Sequence, residues 1–184
     1  MTLSTVAVND PVLASTHQQI IAKVNASPGR QVFLANGTFS VPTGIHKFRV
    51  FIAGGGQGGY DVVTMGMGED SYLVDGAAGN DSFLVSADYS GVDIGTSFAV
   101  VVGAGGAIHE GAGGTSSFGA FSITGASGAG RGTVTPPGGS TPMYHMNGLY
   151  CNNTGIPYGT GGNGGTAALD VALPGTQGIV VVEW

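Results

Sequence analysis

Charge is what this sequence has least of. Only 9% of its residues are Asp, Glu, Lys or Arg, against about a quarter in an ordinary soluble domain. The five basic residues are scattered and the formal net charge is −6, which argues against a nucleic-acid partner, since such a partner wants clustered Lys and Arg. Cys151 is the one cysteine, so an intramolecular disulfide, and with it a disulfide-stapled secreted scaffold, is excluded. No apolar run approaches the ~18 residues of a spanning helix, and no basic-then-apolar leader opens the chain. Membrane insertion is not expected, and cytoplasmic synthesis without secretion is the simplest expectation.

Chemical signatures are missing as well. His17, His46, His109 and His145 are scattered, with no paired metal-ligand spacing among them. Asp61, Glu69, Asp70, Asp75, Asp81, Asp88 and Asp93 bunch without an intervening Lys or Arg, but lack the tight alternation of a calcium loop. They read as solvated loop acids. Ser116 and Ser117 stand between glycines without a nucleophile elbow or a following helix. Neither a metal, another cofactor nor a catalytic activity is expected.

What is there is glycine and short apolar runs. Thirty-six glycines accompany 42% hydrophobic residues, too many apolar runs for a disordered linker and too little glycine for collagen. The composition divides near residue 31. Residues 1–31 contain "DPVLASTHQQIIAKVNASPG", where Leu13, Ile20, Ile21 and Val24 can share one helical face before Pro28 and Gly29 end it. Such a short helix needs a partner surface. From residue 32 to 184, "QVFLA" (which begins at Gln31), "GTFSVP", "HKFRVFIAG", "DSFLVSAD", "TSFAVVVGAG", "SSFGAFSITG" and "QGIVVVEW" are strand-like runs bounded by Gly, Pro, Asn or Asp. In the third, Phe48, Val50 and Ile52 point one way and Lys47, Arg49 and Phe51 the other. "FAVVVG" and "GIVVVEW" are apolar on both faces and suit a sandwich centre. No amphipathic helix recurs between these runs, which excludes parallel βαβ wiring. The predicted fold is all-β: an antiparallel β-sandwich with glycine-rich loops, preceded by a short N-terminal helix.

The cluster "GGGQGG" places Gly54, Gly56 and Gly59 in G-x-G-x-x-G spacing after a strand. A dinucleotide site also needs a helix opening at the third glycine. Here "YDVVTMGMGEDSYLVDG" follows, and its glycines break any helical pattern. Glycines recur at intervals of three at Gly55/Gly58, Gly103/Gly106, Gly111/Gly114 and Gly159/Gly162/Gly165. Three is the repeat of a polyproline II helix, whose close lateral packing requires a face without side chains. Turns between strands are the alternative.

These blocks carry a resemblance. "GTFSVPTGIHKFRVFIAGGGQGG", "VVVGAGGA", "GGTSSFGAFSITGASG" and the terminal "GIVVVEW" occur in that order over residues 37–184. Together they resemble the glycine-rich domain at the ends of tailed-bacteriophage fibre proteins, and the leading segment is more weakly similar to helical leaders of such fibres. The resemblance implies a virion protein, assembled in the host cytoplasm, that recognises the host surface through a bacterial glycan or an outer-membrane protein. It implies attachment to other tail or baseplate proteins through residues 1–31 and a homotrimer, or alternatively a structural fibre component that binds no receptor. The acidic, Met-containing stretch 60–82 and the interrupted glycine clusters depart from the family. The interruptions favour a sandwich with glycine-rich loops over a full polyproline II slab.

Receptor contacts are expected where aromatic and amide side chains leave the glycine pattern. The stretch 135–162 holds Tyr144, His145, Asn147, Tyr150, Asn152, Asn153 and Tyr158, and the stretch 60–75 adds Tyr60 and Tyr72. Aromatic faces stack on sugar C–H surfaces and amides match hydroxyls. The competing reading is that Tyr144, Tyr150 and Tyr158 pack the loop onto the sandwich.

Overall fold

The structure is a computed structural model that describes residues 29–61, 63–65, 72–74, 76–138, 140–146, 148–163 and 172–184. The helix expected before Gly29 lies outside the described residues. The described strands are β1 (Arg30–Phe33), β2 (Gly37–Ser40), β3 (Lys47–Ala53), β4 (Val63–Met65), β5 (Tyr72–Val74), β6 (Leu84–Ser90), β7 (Ser97–Val101), β8 (Ser116–Phe118), β9 (Phe121–Ile123), β10 (Val134–Thr135), β11 (Met143–His145) and β12 (Ile179–Glu183). Every strand pair is antiparallel. One sheet runs β1-β12-β3-β6-β11, a second runs β10-β9-β8-β7-β2, and β4-β5 form a separate hairpin. The described residues therefore form an all-β antiparallel sandwich, with β1 opening at Arg30 inside the segment assigned to attachment.

Alternation along β3 decides the layers. Phe48, Val50 and Ile52 join Phe39, Val85, Val100, Phe118, Phe121, Ile123, Val180 and Val182 in the core between the sheets. Its aromatic centre is dense: Phe98 stacks on Phe118 at 4.7 Å and Phe48 on Tyr89 at 5.0 Å. The opposite face of the first sheet carries Phe51, Ala53, Leu84, Ile179 and Val181, packed beneath Tyr150 and Tyr158. β12 is thus buried on both faces, as its apolar run implies. β7 is not: Ser97, Ala99 and Val101 are exposed, because only the other face of the second sheet meets the core. Arg49 caps the row at the lower end of the first sheet, its Nε and Nη2 donating to Asp88 at 2.6 and 2.9 Å. That pair lowers the pKa of the Asp88 carboxyl, chiefly through the hydrogen bonds.

The glycine clusters are more than turns. Segment 54–60 leaves the end of β3 and donates its backbone N–H groups in three directions, with a period of three. Gly55 and Gly58 donate to Gly114 and Gly111, Gly56 and Gly59 to Thr176 and Leu173, and Gln57 and Tyr60 to Asn80 and Ala77. Its carbonyls accept from Gly106 and Glu110, Ala126 and Gly162. Six segments of the described chain, 103–110, 111–114, 125–127, 76–82, 159–163 and 172–178, therefore surround one.

The ring also closes on itself. Gly114 donates to Ala104, Gly113 to Ala126, Gly79 to Gly162, Thr176 to Thr160, and Gly175 and Gly178 to Gly106 and Gly103. The Asn80 side chain donates to Ser127 O at 2.9 Å to complete the circuit. The positive-φ glycines lie outside the central segment, at turns such as Gly44, Gly91 and Gly119. Three residues per turn, negative φ and lateral backbone hydrogen bonds make this a bundle of polyproline II type rather than a set of tight loops.

Absence of Cβ is what permits the bundle. A Cβ on Gly55 would overlap Ala104 O, one on Gly56 would overlap Thr160 O, and one on Gly58 would overlap Ala107 O. Among the described residues the one long polar side chain fully buried is Gln57. Its Oε1 accepts from Asn80 N and Nδ2, both at 3.1 Å, and its Nε2 donates to Tyr60 OH at 3.3 Å. Serines fasten the bundle to the sheets: Ser116 Oγ accepts from Gly103 N and donates to Ala53 O, while Ser82 Oγ accepts from Gly54 N.

Gly58→Ala is expected to destabilise the domain by about 1–3 kcal/mol, the usual cost of overpacking. Gly138→Ala, where an added Cβ meets nothing within 4 Å, is expected to be neutral. Chemical denaturation of the two variants measures the difference.

Candidate functional site

The molecule has two ends. Gly29 and Trp184 hydrogen-bond each other's backbones at 2.7 and 3.0 Å, beside Glu183, Arg49 and Asp88. β3 runs from there to Ala53, where the glycine bundle begins, and β12 returns from it. At the far end of segment 54–60 lie Tyr60, Asp61 and the turn 108–110, in which His109 and Glu110 both take positive φ. The His109 imidazole contacts the Asp61 carboxylate there.

The stretch 135–162 does not stand off as a free loop. It begins at the last residue of β10 and contributes β11, and β11 pairs with β6 in the register Met143↔Ser86, Tyr144↔Val85, His145↔Leu84. This register sends Tyr144 and His145 to opposite faces. Residues 148–160 then fold back over the outer face of the first sheet. Tyr150 meets the Phe51 ring edge-on at 5.5 Å and donates its hydroxyl to Glu183 Oε1 at 3.0 Å. Tyr158 packs on the same apolar cluster. Asn152 spends its carbonyl oxygen on the loop itself, accepting from Thr154 N, Thr154 Oγ1 and Ile156 N. The packing reading accounts for the contacts of Tyr150 and Tyr158, while Asn152 is engaged within its own turn.

The remaining expected residues separate. Asn153 is exposed at the tip of the Asn152 turn. Tyr60 is half-buried against Gln57, at the bundle's far end. Tyr72 pairs with Met65 in the hairpin, but its side chain, like Asn147, lies outside the described residues. His145 is half-buried, with Nε2 2.7 Å from Ser86 Oγ and its ring 5.2 Å from Phe51. Tyr144 is 59% exposed and leans edge-to-face on Phe83 at 5.1 Å.

Tyr144 and His145 border an open groove of about 460 Å³ whose other walls are Asp81, Phe83, Arg131 and Met146. It lies where the β11 edge meets the bundle. The Arg131 guanidinium stands over the Phe83 ring, 5.4 Å from its centroid, and its Nη2 is 4.0 Å from Asp81 Oδ2. Asp81 Oδ1 accepts from Gly161 N at 2.8 Å, which holds the carboxylate against the bundle. Sequence reasoning missed Asp81, Phe83 and Arg131 as site residues. One signal was present: Arg131 is the only Lys or Arg after Arg49, and it interrupts a glycine cluster.

Apolar exposure concentrates near this groove in sequence. Of the ten large hydrophobic side chains exposed among the described residues, five (Met143, Tyr144, Met146, Leu149 and Ile156) fall within 143–156. Among the described residues no group of His, Cys, Asp and Glu is placed to hold a metal ion. The chain matches no protein-family model and none of the curated proteins.

Two tyrosines have shifted acidities. Burial pushes the Tyr89 phenol up to about 12, and burial, then the hydrogen bond to the Glu183 carboxylate, raises Tyr150. Both folded-state values exceed the unfolded value near 10, so the stabilisation is fully present below about pH 10 and is lost as pH climbs through the folded values. Melting temperature measured between pH 8 and 12 is expected to fall only above about pH 10. Tyr150→Phe should cost about 1 kcal/mol at neutral pH and make that alkaline loss shallower.

Proposed function

We propose that this protein is a receptor-binding component of a tailed-phage fibre, located in the virion and recognising the bacterial surface through its 143–156 segment. The observation that carries the reading is the concentration of exposed Met143, Tyr144, Met146, Leu149 and Ile156 on a segment that Tyr150, Tyr158 and Asn152 fix in place. Exposed apolar side chains gathered on one fastened segment are the kind of surface that marks contact sites. Tyr and Met suit this role because one is a rigid amphipathic platform and the other adapts to a partner's shape. The ordered sequence blocks of residues 37–184 support the same reading.

The two-ended architecture supports it too. The described chain begins at Gly29 beside Trp184, and residues 1–31 would attach to other tail or baseplate proteins, with the homotrimer as the assembly. The glycine bundle leaves from the opposite end of the strands. The inward-turned Tyr150 and Tyr158 favour a second reading, in which the domain only caps or stiffens a fibre.

One assay separates the two. Fluorescently labelled protein is expected to bind cells within a panel of Gram-negative strains saturably. Met146→Asp combined with Leu149→Asp, at two exposed positions, should reduce that binding about tenfold or more, as loss of interface anchors does, while leaving the melting temperature unchanged. Absence of saturable binding on every strain favours the structural cap. Unaltered binding by the double variant moves recognition away from this segment.

A further inference from the structure

We infer that the open edge of β11 is a docking site for an extended, uncharged polypeptide segment, which would add to the first sheet as a further strand beside Tyr144. The inference rests on the surface-recognition reading above and names the partner class: a surface protein of the host rather than a glycan.

Backbone parity carries it. Among the described residues β11 is the last strand of its sheet and pairs only with β6. Gly29 and Trp184 exchange two backbone hydrogen bonds, so they form a bonded pair at the end of the β1–β12 ladder. Bonded and non-bonded pairs alternate along antiparallel strands. The registers pass this parity across the sheet: Val181↔Phe51, Val50↔Ala87, and then Met143↔Ser86 and His145↔Leu84 are bonded pairs. Tyr144 therefore turns its N–H and C=O away from β6, and no backbone group among the described residues bonds them there. A donor and an acceptor set side by side in the plane of a sheet are matched by the backbone of another strand, which is recognition by strand addition.

Charge and side chains narrow the occupant. Open edges are commonly guarded by a charged residue, as Arg30 guards β1 at the other side of this sheet. β11 has no such guard, since no Asp, Glu, Lys or Arg occurs between Arg131 and Asp170. A charged strand would find no counter-ion along β11, so an uncharged one fits it best. Exposed Met143, Tyr144 and Met146 flank the edge. The groove of about 460 Å³ beside it, walled in part by Phe83 and Tyr144, has room for an apolar side chain of the added strand. Phe83 supports Tyr144 edge-to-face, so that wall is formed before a partner arrives. A second copy of β11 fits less well. Laid two-fold about Tyr144, it would set Pro142 of each copy against Met146 of the other, and proline has no N–H to give.

The test is selection of random linear dodecapeptides against the full chain, followed by amide hydrogen exchange of the complex. Selected peptides are expected to be poor in Asp, Glu, Lys and Arg. In the free protein the Tyr144 amide should exchange fast while those of Met143 and His145 are protected, and bound peptide should slow Tyr144 about tenfold or more. Tyr144→Pro should bind peptide about tenfold more weakly than Tyr144→Ala, because both lose the ring and only the first loses the N–H. Proline is tolerated where an edge N–H faces outward, and melting temperature verifies that both variants fold. No selected peptide, an unchanged Tyr144 amide in the complex, or equal binding by the two variants overturns the inference. Cells that hold the labelled protein are expected to lose it after surface proteolysis with proteinase K and to keep it after periodate oxidation of their glycans. If proteolysis leaves cell binding intact, the polypeptide partner falls and surface recognition stands. If peptides dock at the edge but no cells are held, the docking site stands and the receptor reading falls.

Discussion

Everything above the sandwich depends on the backbone hydrogen bonds of residues 54–60. Seven adjacent segments with no sheet between them must bring peptide groups within hydrogen-bonding distance in several directions at once. A β-strand cannot do this, because it bonds only along two edges and fills its faces with side chains. A chain with three residues per turn can, provided the residues facing its neighbours have no Cβ. Ala104 O, Thr160 O and Ala107 O occupy the places where Gly55, Gly56 and Gly58 would carry one. The scarcity of charge follows from the same constraint, since a bundle whose interior is backbone has little room for long ionised side chains.

The exception inside the bundle makes the rule clearer. Gln57 is buried where its neighbours are glycine, and both ends of its amide are used, on Asn80 and on Tyr60. No buried side-chain polar atom among the described residues lacks a partner. A buried amide with a missing partner would cost about as much as several glycine contacts gain. Together with Ser82 and Ser116 at the joints, Gln57 turns separate segments into one body with the sheets. That body holds Asp81 and Arg131 rigidly against the β11 edge, so the groove inherits its geometry from the glycine bundle.

Much of the sandwich was legible in the sequence. Period-two alternation in "KFRVFI" put Phe48, Val50 and Ile52 on the core side, and the uniformly apolar "IVVV" implied burial on both faces. The three-residue spacing at Gly55/Gly58 and Gly111/Gly114 marked segments that turn out to bond each other. β7 misled because apolar content does not reveal which sheet face is covered; that depends on what packs there. β11 was hidden in a stretch rich in Pro, Gly and Asn, whose local signals are those of a loop. Its pairing with β6 is a long-range event that local composition does not encode.

For the candidate site the division is sharper. Sequence by itself determined the class: all-β, poor in charge, built around glycine, without a disulfide, and with aromatic and amide side chains gathered in 135–162. Tertiary structure decided what each of those side chains does. A single register step along β11 sends Tyr144 to Phe83 on the core side of the sheet and His145 toward Phe51 on its outer face, because successive residues of a strand face opposite sides. The fold-back of residues 148–160 turns Tyr150 and Tyr158 inward. Asp81 and Arg131, fifty residues apart, meet only because two bundle segments end beside the same strand edge.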